Sequence, residues 1–358
     1  MAEPRRRDAS GRRSVGEGFR ELDERIAYFV KYHHRQNFGD YLPEIICKEL
    51  LSYPKIDADV FRLIGSVIDE RWIRRDLRNS SGHVTGLIAF WGCGAREAVP
   101  LSRKLRSHCR FFGVRGARTR DVLGLPEDTV LGDPGLLAPL FHTPRRHPET
   151  GGKVIAIPHI QDGRSPAETL ALSGADILVH PEIGASEAAL RDILDRIASA
   201  AFVLTASLHG AIIAAAYGRP FAFWNNGHLD VPFKWEDFAS SIGIEAMFAG
   251  NAAEGRALYA NMAPRIRLPR LAPILQVCPF EARPSALLRA LAHDGAGDGA
   301  VLLDSARIVD AAMAGQQETL MRLQHESGQN RASRQQAGRS ALRVIGFGAL
   351  RLKRALIR

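Results

Sequence analysis

Residues 201–224, AFVLTASLHGAIIAAAYGRPFAFW, decide the fold. The apolar run ending at Leu204 and Thr205 reads as a buried strand, and small residues turn the chain at Ala206 and Ser207. His209 and Gly210 then open an alanine-rich helix that stops at Gly218, and Pro220 starts the next strand. A helix between two uninterrupted apolar strands is the crossover unit of a parallel sheet. Small residues let such a helix pack closely on its sheet, which accounts for every residue except the imidazole. His209 stands at the carboxyl end of a strand, where open parallel sheets bind ligands. The helix N-terminus disfavours its charged form and poises it to exchange a proton near neutral pH.

Working outward, the same alternation of short apolar runs and helical patterns recurs, so the chain is α/β with parallel sheets. Strands are expected at 26–30, 86–91, 109–114, 153–158, 176–179, 201–205 and 220–224, with helices between them. HTPRRHPETGG, residues 142–152, combines prolines, charges and a Gly pair and reads as a linker. The expected organisation is a basic N-terminus at 1–20, a first α/β domain at 21–145, a second at 151–295, a helix at 300–325 and a basic linker and tail at 326–358.

The chain has 358 residues, of which 46% are hydrophobic and 24% charged, enough for ordinary buried cores. The net charge of +9 is confined to the ends: residues 331–358 carry +8 and residues 1–13 carry +3, leaving −2 for residues 14–330. That distribution argues against a nucleic-acid partner for the folded part. On a helix, Leu342, Ile345, Ala349, Leu352 and Leu356 fall on one side, and Arg343, Arg351, Arg354 and Arg358 on the other. Such a tail suits an anionic membrane surface or docking on its own domain or a partner. No apolar run is long enough to span a bilayer, and no apolar stretch follows the basic N-terminus, so the expected location is cytoplasmic, peripheral at the inner membrane face. Cys47, Cys93, Cys109 and Cys278 lack metal-ligand spacing and read as buried free thiols. No metal site is expected.

Further candidates lie in the turns after the strands. In HHRQNFGDYL (33–42) Asp40 reads as a helix cap and Gly39 as the turn residue, or Asn37 and Asp40 contact a sugar hydroxyl and take its proton. In FWGCGAR (90–96) Gly92 and Gly94 let the backbone approach a ligand, without completing a dinucleotide or phosphate-loop fingerprint. In FGVRGARTRDVL (112–123) Arg115 and Arg118 stand at a helix start, where cations oppose the macrodipole unless an anion lies between them. Asp133–Pro134 reads as a turn, and His159 follows a buried strand.

Taken in order, NFGD (37–40), WGCG (91–94), RGARTR (115–120), GDPGL (132–136), PHIQD (158–162), SLHG (207–210) and FKWEDFASSIG (233–243) resemble the polysaccharide pyruvyl transferase family. The resemblance implies two Rossmann-like domains facing a cleft, a GT-B-like arrangement, and transfer of the enolpyruvyl unit of phosphoenolpyruvate onto sugar hydroxyls as a ketal. It implies no cofactor, phosphoenolpyruvate as co-substrate and an oligosaccharide or lipid-linked glycan acceptor. It further implies His209 as acid or phosphate contact, Asp40 or His159 as base, and Arg115, Arg118, Ser207 and Lys234 as the donor site. Asn37, Gly39, Gly92, Gly94 and Gly210 are left to line the glycan or shape the loops. Many members have Arg in place of Ser207, which leaves the anion site one cation short. The competing readings are a nucleotide-sugar glycosyltransferase and a non-catalytic glycan-binding protein.

Overall fold

The computed structural model of the protein describes residues 25–27, 35–79, 81–227, 229–316 and 318. The basic N-terminus at 1–20, most of the expected strand at 26–30 and the tail at 326–358 lie outside the described residues. The chain divides into two compact units, one ending at Gly299 and one beginning at Ala300. In the second, residues 300–316 are helical.

The first unit is mixed α/β with parallel sheets. Its first sheet aligns β1 (Val60–Arg62), β2 (Ile88–Phe90) and β3 (Cys109–Phe111) in parallel. The second sheet contains β4 (Val154–Ile157), β5 (Ile177–Leu178), β6 (Phe202–Thr205), β7 (Phe221–Trp224) and β8 (Phe248–Ala249), all parallel, in the order β8-β7-β6-β4-β5. β4, β6 and β7 are buried throughout, which is why they read as continuous apolar runs. Strand order reverses between β4 and β6, and in open α/β sheets the ligand crevice lies outside such a switch point. The loops after these two strands carry His159 and Ser207–His209.

Five helices position the site: α1 (Phe38–Leu50), α2 (Ala117–Val122), α3 (Glu187–Ser199), α4 (Leu208–Ala216) and α5 (Pro232–Ser241). Helix α1 buries Phe38, Leu42, Ile45 and Ile46 in the same core as Ile212 and Ile213 of α4 and Leu136 and Leu137 of the 3-10 helix Pro134–Leu137. Its entry is fixed by a short antiparallel ladder the sequence did not announce, Arg35–Asn37 against Glu182–Gly184. Asp40 is not the cap of α1. Asn37 is, accepting a hydrogen bond from Gly39 N at 3.0 Å, because Asn37 keeps extended backbone while Asp40 lies already in the first turn. Lys234 belongs to the first turn of α5 and is buried. Cys93, Cys109 and Cys278 are buried free thiols and Cys47 is half-buried.

Candidate active site

Gly39 brings α1 against His209. A methyl group built on Gly39 would overlap the imidazole, with Cε1 only 2.7 Å away, so the Nδ1 side of the ring abuts the helix entrance. Gly39→Ala should therefore displace the imidazole. We expect a fall in kcat of roughly 100-fold for a displacement of about 1 Å, with a loss of about 1–3 kcal/mol of stability. Steady-state kinetics alongside thermal melts test this, and unchanged kcat would place His209 outside the chemistry.

The other edge of the ring faces Asp133, whose Oδ1 lies 4.0 Å from His209 Nε2. Asp133 is fully buried and starts the 3-10 helix by accepting a hydrogen bond from Gly135 N at 2.9 Å. Close backbone approaches deliver it there. Gly92, with φ of +62°, makes room for Pro134, and Gly135 lies where a Cβ would come within 3.0 Å of Ile212 on α4. In the sequence Asp133–Pro134 reads first as a turn, since an Asp-Pro pair carries no mark of its burial. Burial raises its carboxyl to about 6, against the opposing pull of Arg115.

Arg115 is fully buried and already holds an anion of the chain itself. Its Nε donates to Asp237 Oδ2 at 3.0 Å and its Nη1 to Ser66 Oγ at 2.8 Å. Asp237 Oδ1 also accepts from Thr119 N at 2.8 Å, so the carboxylate of α5 caps α2 and neutralises the cation beside that helix start. The anion expected between the cations at this turn is thus Asp237. Gly94 is required because Arg115 Nη2 lies across it, and a Cβ there would overlap the guanidinium. Arg118, the second residue of α2, is exposed, unlike Arg115.

Three buried polar atoms in this region, Arg115 Nη2, Asp133 Oδ2 and His209 Nε2, have no hydrogen-bond partner among the described residues. Burial, then the charges of Arg115 and Lys234, lower His209 to about 3, so its imidazole is neutral at physiological pH rather than poised near neutrality. Asp40 is its complement. Burial raises it to about 7 despite Arg62 and Lys234, which makes it a carboxyl that exists in both protonation states near neutral pH. Ser207 is buried at the start of α4 without a side-chain cap bond, and Gly210 gives space to Thr205 Oγ1 behind the turn. His159, after β4, lies 3.6 Å from Asp230, which also accepts from Lys234 Nζ at 2.8 Å. The structure thus gathers Gly39, Asp40, Arg115, His209 and Lys234 with the unforeseen Asp133 and Asp237.

Residues 57–228 match the family model described as polysaccharide pyruvyl transferase. Over this span the chain is similar to the polysaccharide pyruvyl transferase family. The match supports an enzyme of pyruvyl transfer to polysaccharide. The matched span includes Arg115, Asp133, His159 and His209, while Asp40 and Lys234 reach the same site from flanking segments. No curated protein and no solved structure matches the chain significantly.

A separate open groove of about 420 Å³ borders the starts of the strands, at the opposite end of the sheet, lined in part by Arg145, Arg146 and Arg219. Arg219 donates to the carbonyl of Tyr217 at the end of α4, and cations at helix C-termini need no ligand to explain them. Among the described residues no group of His, Cys, Asp and Glu is placed to hold a metal ion, and no helix is long and apolar enough to cross a membrane.

Proposed function

We propose that this pyruvyl transferase takes its pyruvyl unit from phosphoenolpyruvate and closes it as a ketal on two hydroxyls of a cell-surface glycan precursor. The observation that carries this reading is the trio of unpartnered buried atoms, a donor on Arg115, an acceptor on Asp133 and a ring nitrogen on His209. Buried polar groups are almost always satisfied, so three orphans acting on one another point to a small polar ligand. Arg115 offers one remaining guanidinium nitrogen to an anion, and Lys234 adds a second cation whose ammonium form is depressed by burial.

The donor is an enol ester, so its methylene carbon must accept a proton before the neighbouring carbon becomes electrophilic. In this reading the double-bond electron pair takes the proton of Asp40, forming a methyl group. The acceptor hydroxyl oxygen bonds to the cationic carbon and returns its proton to Asp40. The carbon–oxygen bond to phosphorus breaks, phosphate leaves with the electron pair, and the second hydroxyl closes the ring and gives its proton to phosphate. His209 begins neutral, but a highly anionic donor offsets the two cations that disfavour its charged form, so it becomes able to donate to the leaving phosphate as the complex forms.

The test is phosphate release from phosphoenolpyruvate by the purified full chain with free and lipid-linked oligosaccharides, coupled to mass spectrometry of the acceptor for a pyruvate ketal. We expect acceptor-dependent release and a loss of 100-fold or more in kcat for His209→Ala. Undiminished turnover in that variant, or release of nucleotide from a sugar nucleotide in place of phosphate, would overturn the reading.

A further inference from the structure

Asp230 is the meeting point of three basic side chains. It accepts from Lys234 Nζ at 2.8 Å, lies 3.6 Å from His159 Nε2 and 3.9 Å from Arg96 Nη2. The three donors come from three different places: the first turn of α5, the loop after β4 at the switch point, and the loop that follows Gly94. A pairing four residues apart at a helix start accounts for Asp230 and Lys234 alone, and such pairs are worth only about 0.3–0.5 kcal/mol. It accounts for neither Arg96 nor His159.

Charge and backbone both set the cluster apart. Arg96 and Lys234 converge on Asp230, and Lys234 is almost wholly buried. Its ammonium is disfavoured by desolvation, with Arg115 and Arg96 adding to the effect. Bringing further positive charge up to a buried ammonium is costly, and an anion joining the cluster offsets that cost. Next to Asp230, Val231 has φ of +44°, the only non-glycine with positive φ among the described residues. A β-branched side chain in that region is strained by about 1–3 kcal/mol, and strain of this kind gathers at ligand sites.

We infer that Arg96, His159 and Lys234 form the subsite for the donor's phosphate, and that Asp230 is a carboxylate stand-in which the phosphate displaces. The inference rests on the phosphoenolpyruvate reading of the site. A phosphate offers three terminal oxygens to the three donors, whereas the carboxylate offers two. The stand-in keeps the cations together when no donor is bound, and it lowers the apparent affinity by competing for them.

The experiment is calorimetric titration of the full chain with inorganic phosphate and with phosphoenolpyruvate at low ionic strength. Asp230→Asn should bind inorganic phosphate about tenfold more tightly than the parent, because the competitor loses its charge while its shape is kept. Arg96→Gln, which leaves the Asp230–Lys234 pair intact, should bind it at least about fivefold more weakly. Equal or weaker phosphate binding in a folded Asp230→Asn overturns the inference. Should that variant fail to fold, unchanged phosphate affinity in Arg96→Gln overturns it instead. These titrations need no turnover: phosphate binding with the expected pattern in a protein that forms no ketal would retain the anion site and sink the pyruvyl-donor reading alone.

Discussion

Asp237→Ala should lower stability by about 3–5 kcal/mol, the largest loss expected from any single change near the site, because it strands a fully buried guanidinium. Asp237 and Arg115 are both inaccessible, and the carboxylate bonds at once to Arg115 Nε and to Thr119 N. Its removal therefore leaves a charge without a counter-ion and a helix start without a cap, and the cap alone is worth about 1 kcal/mol. Asp237→Asn keeps an acceptor for Thr119 N and should cost less. Arg115→Met combined with Asp237→Leu should recover much of the stability, since apolar replacement of a whole buried pair is often neutral, while abolishing donor binding. For a unit of this size the loss corresponds to a fall in melting temperature on the order of 10 °C. Differential scanning calorimetry of the three proteins decides the matter. An Asp237→Ala midpoint within about 2 °C of the parent would mean that Arg115 is not held by this carboxylate.

The contrast between Asp237 and His209 shows what was readable in the chain. The β6–α4 unit was legible because a buried parallel strand needs an unbroken apolar run and a tightly packed crossover helix needs small residues, both local properties. Asn37 and Gly39 were legible as a helix entrance, although the cap was assigned to Asp40, since the two polar residues differ only in where extended backbone gives way to the helix. Asp237 was invisible for the opposite reason. Within KWEDFASS it looks like the charge on a solvated helix face, and only the packing of α5 on α2 buries it. β1 escaped because its third residue, Arg62, breaks the apolar pattern, and its burial depends on Asp76, which accepts from Arg62 Nε and Nη2 at 2.8 Å each. Asp133 and Arg96 likewise gain their roles from long-range approach, at His209 and Asp230. The second sheet was therefore readable strand by strand except for its two-residue edge strand β8, whereas the carboxylates that set the electrostatics of the site were not.

Asp40→Asn should make the ligand-free protein more stable while removing its activity. The carboxyl is buried at the first turn of α1, and its folded pKa of about 7 lies above the ordinary value of 3.8, chiefly through desolvation. Between these values the folded chain keeps a proton that the unfolded chain has released. The protonated carboxyl's contribution is thus complete below about pH 4 and is lost as pH rises through 7. At pH 8 the parent bears the whole cost of an ionised buried group, at most ~4 kcal/mol from 1.36 kcal/mol per unit, and an amide of the same shape does not. The gain in stability from Asp40→Asn should accordingly grow from near zero at pH 4 to about 2–4 kcal/mol at pH 8. His209 acts in the other sense. Its folded value is depressed to about 3, so stability is lost as pH falls from 6.5 toward 3, in parent and variant alike, and the difference between them isolates Asp40. If Asp40 carries the proton to the donor, kcat of the variant falls by 10²–10⁴-fold, and the acidic or basic limb near pH 7 disappears from whatever activity remains. Chemical denaturation at pH 5 and pH 8, set beside a pH–rate profile, separates the two roles. A stability difference independent of pH would show that Asp40 is not held protonated by burial, and retained kcat would pass the proton transfer to another group.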